Sequence, residues 1–176
     1  MHNDKLKKSC SFTGHRPSRF SFGYDENDDR CARLKTVMRE QIMALVAEGV
    51  AKYYSGMALG VDTWAAEIVL DLKKSHSDLR LIAVRPCETQ ADHWTVEQRE
   101  RHFDILEACD DIITMQLRYS RAAIFERNKY LIDIAGNLLA VYDGGSNGGT
   151  AYTVGYGRHQ QRRIIIINPD TSAVEK

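Results

Sequence analysis

The feature that most constrains this chain is a regular alternation of two periodicities. Short β-rich runs stand at "SCSFTG", "AKYYSG", "LRLIAV", "DIITM", "NLLAVYD" and "RIIIIN", and five stretches of helical spacing fill the gaps between them. A helix between every pair of consecutive strands is how parallel strands are joined, since they need long crossovers. The runs "LIAV" and "IIII" are apolar without alternation, as in strands covered on both faces. The order βαβαβαβαβαβ therefore predicts an α/β fold, a Rossmann-like three-layer sandwich around a mostly parallel, doubly wound sheet of about six strands.

Within the first gap, Leu34, Met38, Ile42 and Leu45 recur at helical spacing, and Gly49 follows where a left-handed residue ends a helix. No repeat and no Pro/Gly/Ser-rich linker divides the 176 residues, so one domain over residues 1–176 is expected. The acidic stretch "YDENDD" and the tail "TSAVEK" read as solvated.

Composition bears on partners. Lys plus Arg (24) equals Asp plus Glu (24), so the chain lacks the basic footprint of a nonspecific nucleic-acid binder, which disfavours nucleic acid as a partner. Cys10, Cys31, Cys87 and Cys109 fall on separate segments without C-x-x-C spacing, and His76, His93 and His102 share no spacing with acids or thiols. Reduced thiols, surface histidines and no metal site are expected. No apolar run approaches the ~18 residues of a membrane span, and the start "MHNDKLKK" lacks a signal peptide's apolar stretch. The expectation is a cytoplasmic protein with no membrane partner; a homo-oligomer is left open.

In doubly wound sheets ligands bind beyond the carboxyl ends of the strands, where loops run into helix N-termini. "GMALGVD" and "GGSNGGT" are such loops. Ser55, Gly56 and Gly60 permit a tight turn and close backbone approach, and Asp62 stands at the mouth of the following helix. Asp143, Gly144, Gly148, Gly149 and Thr150 repeat the chemistry after the fifth run, with Thr150 able to cap a helix or meet a phosphate. Gly14, His15 and Arg16, followed by Pro17, make an anion clamp after the first run. Arg127 and Asn128 begin the fourth helix, while Gln90 and Trp94 occupy a polar loop where an exposed indole offers a stacking platform. Each feature has a plainer reading: Gly-rich turns arise from geometry alone, a lone Arg is most often a surface charge, and a Trp most often packs in a core. Neither glycine loop matches the P-loop or the dinucleotide fingerprint.

The ordered motifs "FTGHRP", "SGMALGVDTWAAE", "RPCETQADHW", "ERNKYLID" and "VYDGGSNGGTAYTV" resemble the SLOG superfamily, which contains the DNA-processing protein DprA/Smf and the LOG phosphoribohydrolases, and more narrowly its YpsA-like branch of bacteria and phages. The resemblance implies a Rossmann-like fold with a nucleotide-type ligand. Ser55, Gly56, Gly60, Asp62, Arg127 and Asn128 keep a DprA-like pattern similar to "SGLARGID" and "RNRII", while the Arg of the first stretch is Leu59 and a helical His is Ala66. The LOG-like pattern P-G-G-x-G-T-x-x-E is met at Gly149 and Thr150, but its glutamate falls on Thr153.

These readings converge on a protein that senses or processes a nucleotide or nucleotide-derived ligand, such as an ADP-ribose-like molecule or a nucleoside phosphate, with no cofactor assigned. Two alternatives stay open: a LOG-like nucleoside monophosphate N-glycosidase, and a DprA-like accessory that binds single-stranded DNA. Whether any reaction is catalysed is left open too.

Overall fold

The computed structural model describes residues 6–176. The reading of the chain's start as free of a signal peptide falls partly on residues 1–5, outside the described ones. The elements run β1 (Ser9–Gly14), α1 (Asp29–Ala47), β2 (Lys52–Ser55), α2 (Val61–Lys73), β3 (Arg80–Cys87), α3 (Val96–Ala108), β4 (Asp111–Gln116), α4 (Arg121–Ile134), β5 (Asn137–Val141), α5 (Gly149–His159), β6 (Arg163–Ile167) and β7 (Val174–Glu175). A short 3-10 turn, Pro17–Arg19, follows β1.

The sheet order is β4-β3-β2-β1-β5-β6-β7, and every pairing is parallel except β6 with β7. The fold is thus Rossmann-like α/β. The chain lays its first four strands outward in one direction, then crosses back to place β5 on the other side of β1. Helices follow that reversal. Leu34, Met38 and Ile42 of α1, Trp64 and Val69 of α2, and Ile105 of α3 share the larger core on one face. Leu131 and Ile132 of α4 and Val154 of α5 pack on the opposite face. The strands β1 and β5 separate the two sets of helices, and a crevice opens beyond their carboxyl ends.

Local sequence explains the boundaries. Gly49 ends the loop after α1 with φ +89°, a value that favours glycine. The seventh strand departs from the expectation: the tail "TSAVEK", read as solvated, pairs antiparallel on β6, Ile166 with Glu175 and Ile167 with Val174. Both tail residues are exposed, so backbone pairing at an open edge drives it, and apolar burial does not.

Two further expectations are corrected. The acidic stretch before α1 is not simply solvated, because Glu26 accepts from Trp64 Nε1 at 2.9 Å, from Arg101 Nη1 at 2.6 Å and from Lys35 at 2.5 Å. Asp28 caps α1 by accepting from the Arg30 N–H at 2.8 Å. His102 is buried in place of lying at the surface, with the Trp94 ring set edge-on at 5.1 Å. Among the described residues the four cysteines are free thiols, no three metal-binding side chains cluster, and no helix is long and apolar enough to cross a membrane.

Candidate functional site

The crevice at the reversal is a cleft of about 310 Å³. Its floor is the end of β1: Thr13, Gly14 and His15. Gly14 is required there because a Cβ would run into the Val61 side chain of α2. Arg16 precedes Pro17, and the pyrrolidine ring holds it extended at φ −73°, ψ 155°. Arg16 is exposed and makes no ion pair among the described residues. Its charge is free for a ligand.

The opposite wall is the start of α5. Gly148 is its N-cap with φ +100° and ψ 175°, a conformation that only glycine adopts readily, and no side chain caps this end. The first-turn N–H groups of any helix lack intrahelical acceptors, so here they and the positive end of the helix dipole face the cleft beside Gly149 and Thr150. Thr150 lies inside the helix and does not cap it, which corrects one of its two expected roles; it remains a buried wall residue.

The third wall is α4, with Ile124 and Phe125 as its apolar part and Arg127 and Asn128 as its polar part. Arg127 does not begin α4, which starts at Arg121 behind the Ser120 cap, and it is not a surface charge: it is 2% exposed. Its Nη1 donates to the Gly56 carbonyl and lies 3.4 Å from Asp62 Oδ2, while Nε has no partner. Burial pushes the guanidinium down to about 10, with Asp62 pulling the other way, so it stays cationic at neutral pH.

The first glycine loop serves this arrangement from behind. Ser55 Oγ donates to the Asp62 carbonyl at 2.8 Å and accepts from the Met57 N–H at 3.1 Å, all buried. A Cβ on Gly56 would occupy the space of the Arg127 guanidinium, so this glycine makes room for a side chain. Gly60 takes φ +87° and brings α2 against Pro17, whose Cδ would lie 3.0 Å from an added Cβ. The left-handed residue earlier in the loop is Met57 (φ +58°), which sequence reasoning did not single out. Ser55, Gly56 and Gly60 therefore stand behind the cleft wall, and only Asp62 from this group lines it.

Asp143 follows β5 and lines a depression beside β7, reaching the cleft only through its contacts with His15 and Arg19. Its Oδ1 lies 3.0 Å from Nε2 of buried His15, although the ring N–H is poorly aligned for a hydrogen bond, and Oδ2 lies 3.3 Å from Arg19. The Gly145 N–H outweighs the opposing effect of burial and, with lesser help from His15 and Arg19, holds the Asp143 carboxyl below the usual range. Gly144 (φ +84°) turns away and lines the same depression. Sequence reasoning did not single out Arg19, although its place two residues after Pro17 was the available signal.

A second space of about 290 Å³ adjoins the first and shares Arg16, Ile124 and Arg127 with it. Gln90 and Trp94 line it, as do Leu59, Pro86 and the exposed rings of Tyr24 and Tyr119. Thr153, at the position of the LOG-like glutamate, is 1% exposed and returns its hydroxyl to the Gly149 carbonyl at 2.7 Å.

A sequence profile described as the YspA SLOG family matches residues 10–170. The chain belongs to this YpsA family. Within it, a UPF0398 protein of Halalkalibacterium halodurans is 30% identical over 168 residues, covering 92% of this chain and 88% of the relative. A UPF0398 protein of Bacillus thuringiensis is 31% identical over 150 residues, covering 84% and 80%. Among solved structures, DprA from Streptococcus pneumoniae superposes with a TM-score of 0.58 at 14% identity, over 93% of this chain and 52% of that one. The YpsA-family chain thus spans about half the length of that DprA. DprA from Helicobacter pylori gives a TM-score of 0.60 at 17% identity, over 95% and 67%, and its structure is described by the protein's single-stranded DNA binding mode.

That neighbour overturns the expectation that disfavoured nucleic acid. The fold is shared with a DNA-binding protein, and zero net charge says nothing of a local field: three arginines, Arg16, Arg19 and Arg127, line this cleft against one lining carboxylate, Asp62, with Asp143 next to it on Arg19.

Proposed function

We propose that this YpsA-family protein binds a nucleotide, free or as one unit of a strand, with a phosphate at the start of α5. The observation that carries the reading is the uncapped helix N-terminus at Gly148, facing an exposed and unpaired Arg16 across the crevice between β1 and β5. A phosphate there receives backbone N–H groups, the helix dipole and one mobile guanidinium. Asn128, which lines the same cleft, is suited to a ribose hydroxyl, since its amide both donates and accepts.

The measurement is thermal melting against millimolar nucleoside mono- and diphosphates and ADP-ribose, where ligands bound only by the folded chain raise the midpoint. A rise with several phosphate-bearing nucleotides supports the reading, and no shift with any of them contradicts it.

A second reading, that the nucleotide belongs to single-stranded nucleic acid, is favoured by the two adjoining spaces with a common wall and by the DprA likeness. An oligodeoxythymidylate that displaces a bound mononucleotide, with affinity falling as salt rises, would support it.

A further inference from the structure

We propose that the second space is a base pocket in which Gln90 accepts an N–H from the base edge; this rests on the nucleotide reading above. Gln90 Nε2 donates to the Gly56 carbonyl at 3.0 Å. That contact determines which way round the amide lies, because the reverse orientation would set two acceptor oxygens together. Oε1 is left buried and without a donor, although its residue lines the space. A shielded acceptor with no donor is costly, and a ligand N–H relieves it. Gln90 thus offers acceptance only: its one free polar atom takes an N–H from the base edge, such as the amine of adenine or cytosine, and has nothing for a purine from which that N–H is removed.

The rest of the pocket suits a planar ring. Trp94 is half-buried and braced edge-on by His102 at 5.1 Å and 80°. Burial, and secondarily Arg85, pushes the imidazole down to about 4, so the brace is neutral at physiological pH and does not add a cation beneath the indole. Tyr24 and Tyr119 stand exposed at the mouth, 60% and 61% accessible, and rings left in water beside a cleft are what a stacking base covers. The shared Arg16 and Arg127 join this pocket to the phosphate wall, so one mononucleotide bridges both spaces.

The probes are AMP, CMP, purine riboside 5′-monophosphate, which lacks only adenine's amine, and ribose 5-phosphate. Titration calorimetry should show AMP or CMP binding at least ~fivefold tighter than the des-amino nucleotide and ribose 5-phosphate. In Gln90→Ala the preference over the des-amino nucleotide should vanish while ribose 5-phosphate binds as before. Trp94→Ala should weaken AMP, CMP and the des-amino nucleotide and leave ribose 5-phosphate unchanged, which guards against a loop rearrangement in the first variant. Equal binding of all four by the wild type, or a preference over the des-amino nucleotide that survives Gln90→Ala, overturns the base pocket and leaves the phosphate reading standing. Failure of all four to bind overturns both.

Discussion

At the scale of single residues, the buried Arg127 is the point on which the wall of the cleft turns. It holds the Gly56 carbonyl and faces Asp62, and both ends of that ion pair are shielded, with side chains 3% and 6% exposed. Removing one partner of a buried pair leaves the other uncompensated, at about 3–5 kcal/mol. Arg127→Met should lower the stability measured by urea unfolding by that order, and Arg127→Met with Asp62→Asn should recover part of it. A single variant as stable as the wild type would show that the pair contributes nothing. Gly60→Ala tests a different residue-scale claim. Its φ of +87° and its contact with Pro17 make a side chain strained, so about 1–3 kcal/mol of stability should be lost. Nucleotide affinity at a temperature where the variant is folded should be unchanged, because Gly60 stands behind the wall and does not line it.

At the scale of elements, Glu26 ties the loop after β1 to α2 through Trp64 and to α3 through Arg101, which also grips Glu67 at 2.6 Å. Burial would raise the Glu26 carboxyl, but hydrogen bonds from Arg101, Lys35 and Trp64 outweigh it and hold the group down to about 2. A folded value below the unfolded one gives stability that is present above the unfolded pKa of about 4.3 and is lost as pH falls toward 2. The pair is near the surface, so screening reduces the effect to about 1–2 kcal/mol. Glu26→Gln should therefore melt lower than the wild type at pH 7, and the gap should close as pH drops through 4 toward 2. A gap that is the same at pH 7 and pH 2.5 would contradict the assignment.

This hub was not legible in the sequence, since an acidic run gives no sign of which carboxylate tertiary packing will recruit. The strands were, because apolar runs and turn residues are local signals: "SCSFTG" matches β1 residue for residue. The seventh strand escaped notice because an exposed edge pair carries no burial pattern. At the cleft, Arg16 and the Gly148–Thr150 segment were readable from their places beside a strand end and a helix start, whereas Arg127 lies in mid-α4, where only tertiary packing turns it inward. The division of labour within "SGMALG" was not, because a glycine that admits a ligand and one that admits an arginine look alike in one dimension.

At the scale of the whole molecule, the balance of 24 basic and 24 acidic residues hides a local excess of arginine at one crevice. Charge-assisted contacts carry roughly 1.5–3 kcal/mol each, so Arg16→Ala should weaken nucleotide binding by about tenfold or more, and the loss should shrink at high salt. Affinity that ignores both the substitution and the salt would place the ligand elsewhere. The most direct measurement of the central claim is calorimetric titration of AMP into the wild type and into Gly149→Asp. An acidic residue in the first turn favours the helix dipole, and a Cβ at Gly149 meets nothing closer than Asn128 Nδ2 at 3.6 Å, so the variant should fold as well as the parent. The same carboxylate sits where the phosphate is proposed to lie. The account predicts saturable AMP binding to the wild type and none detectable in Gly149→Asp at equal melting temperature; undiminished binding in the folded variant would contradict it.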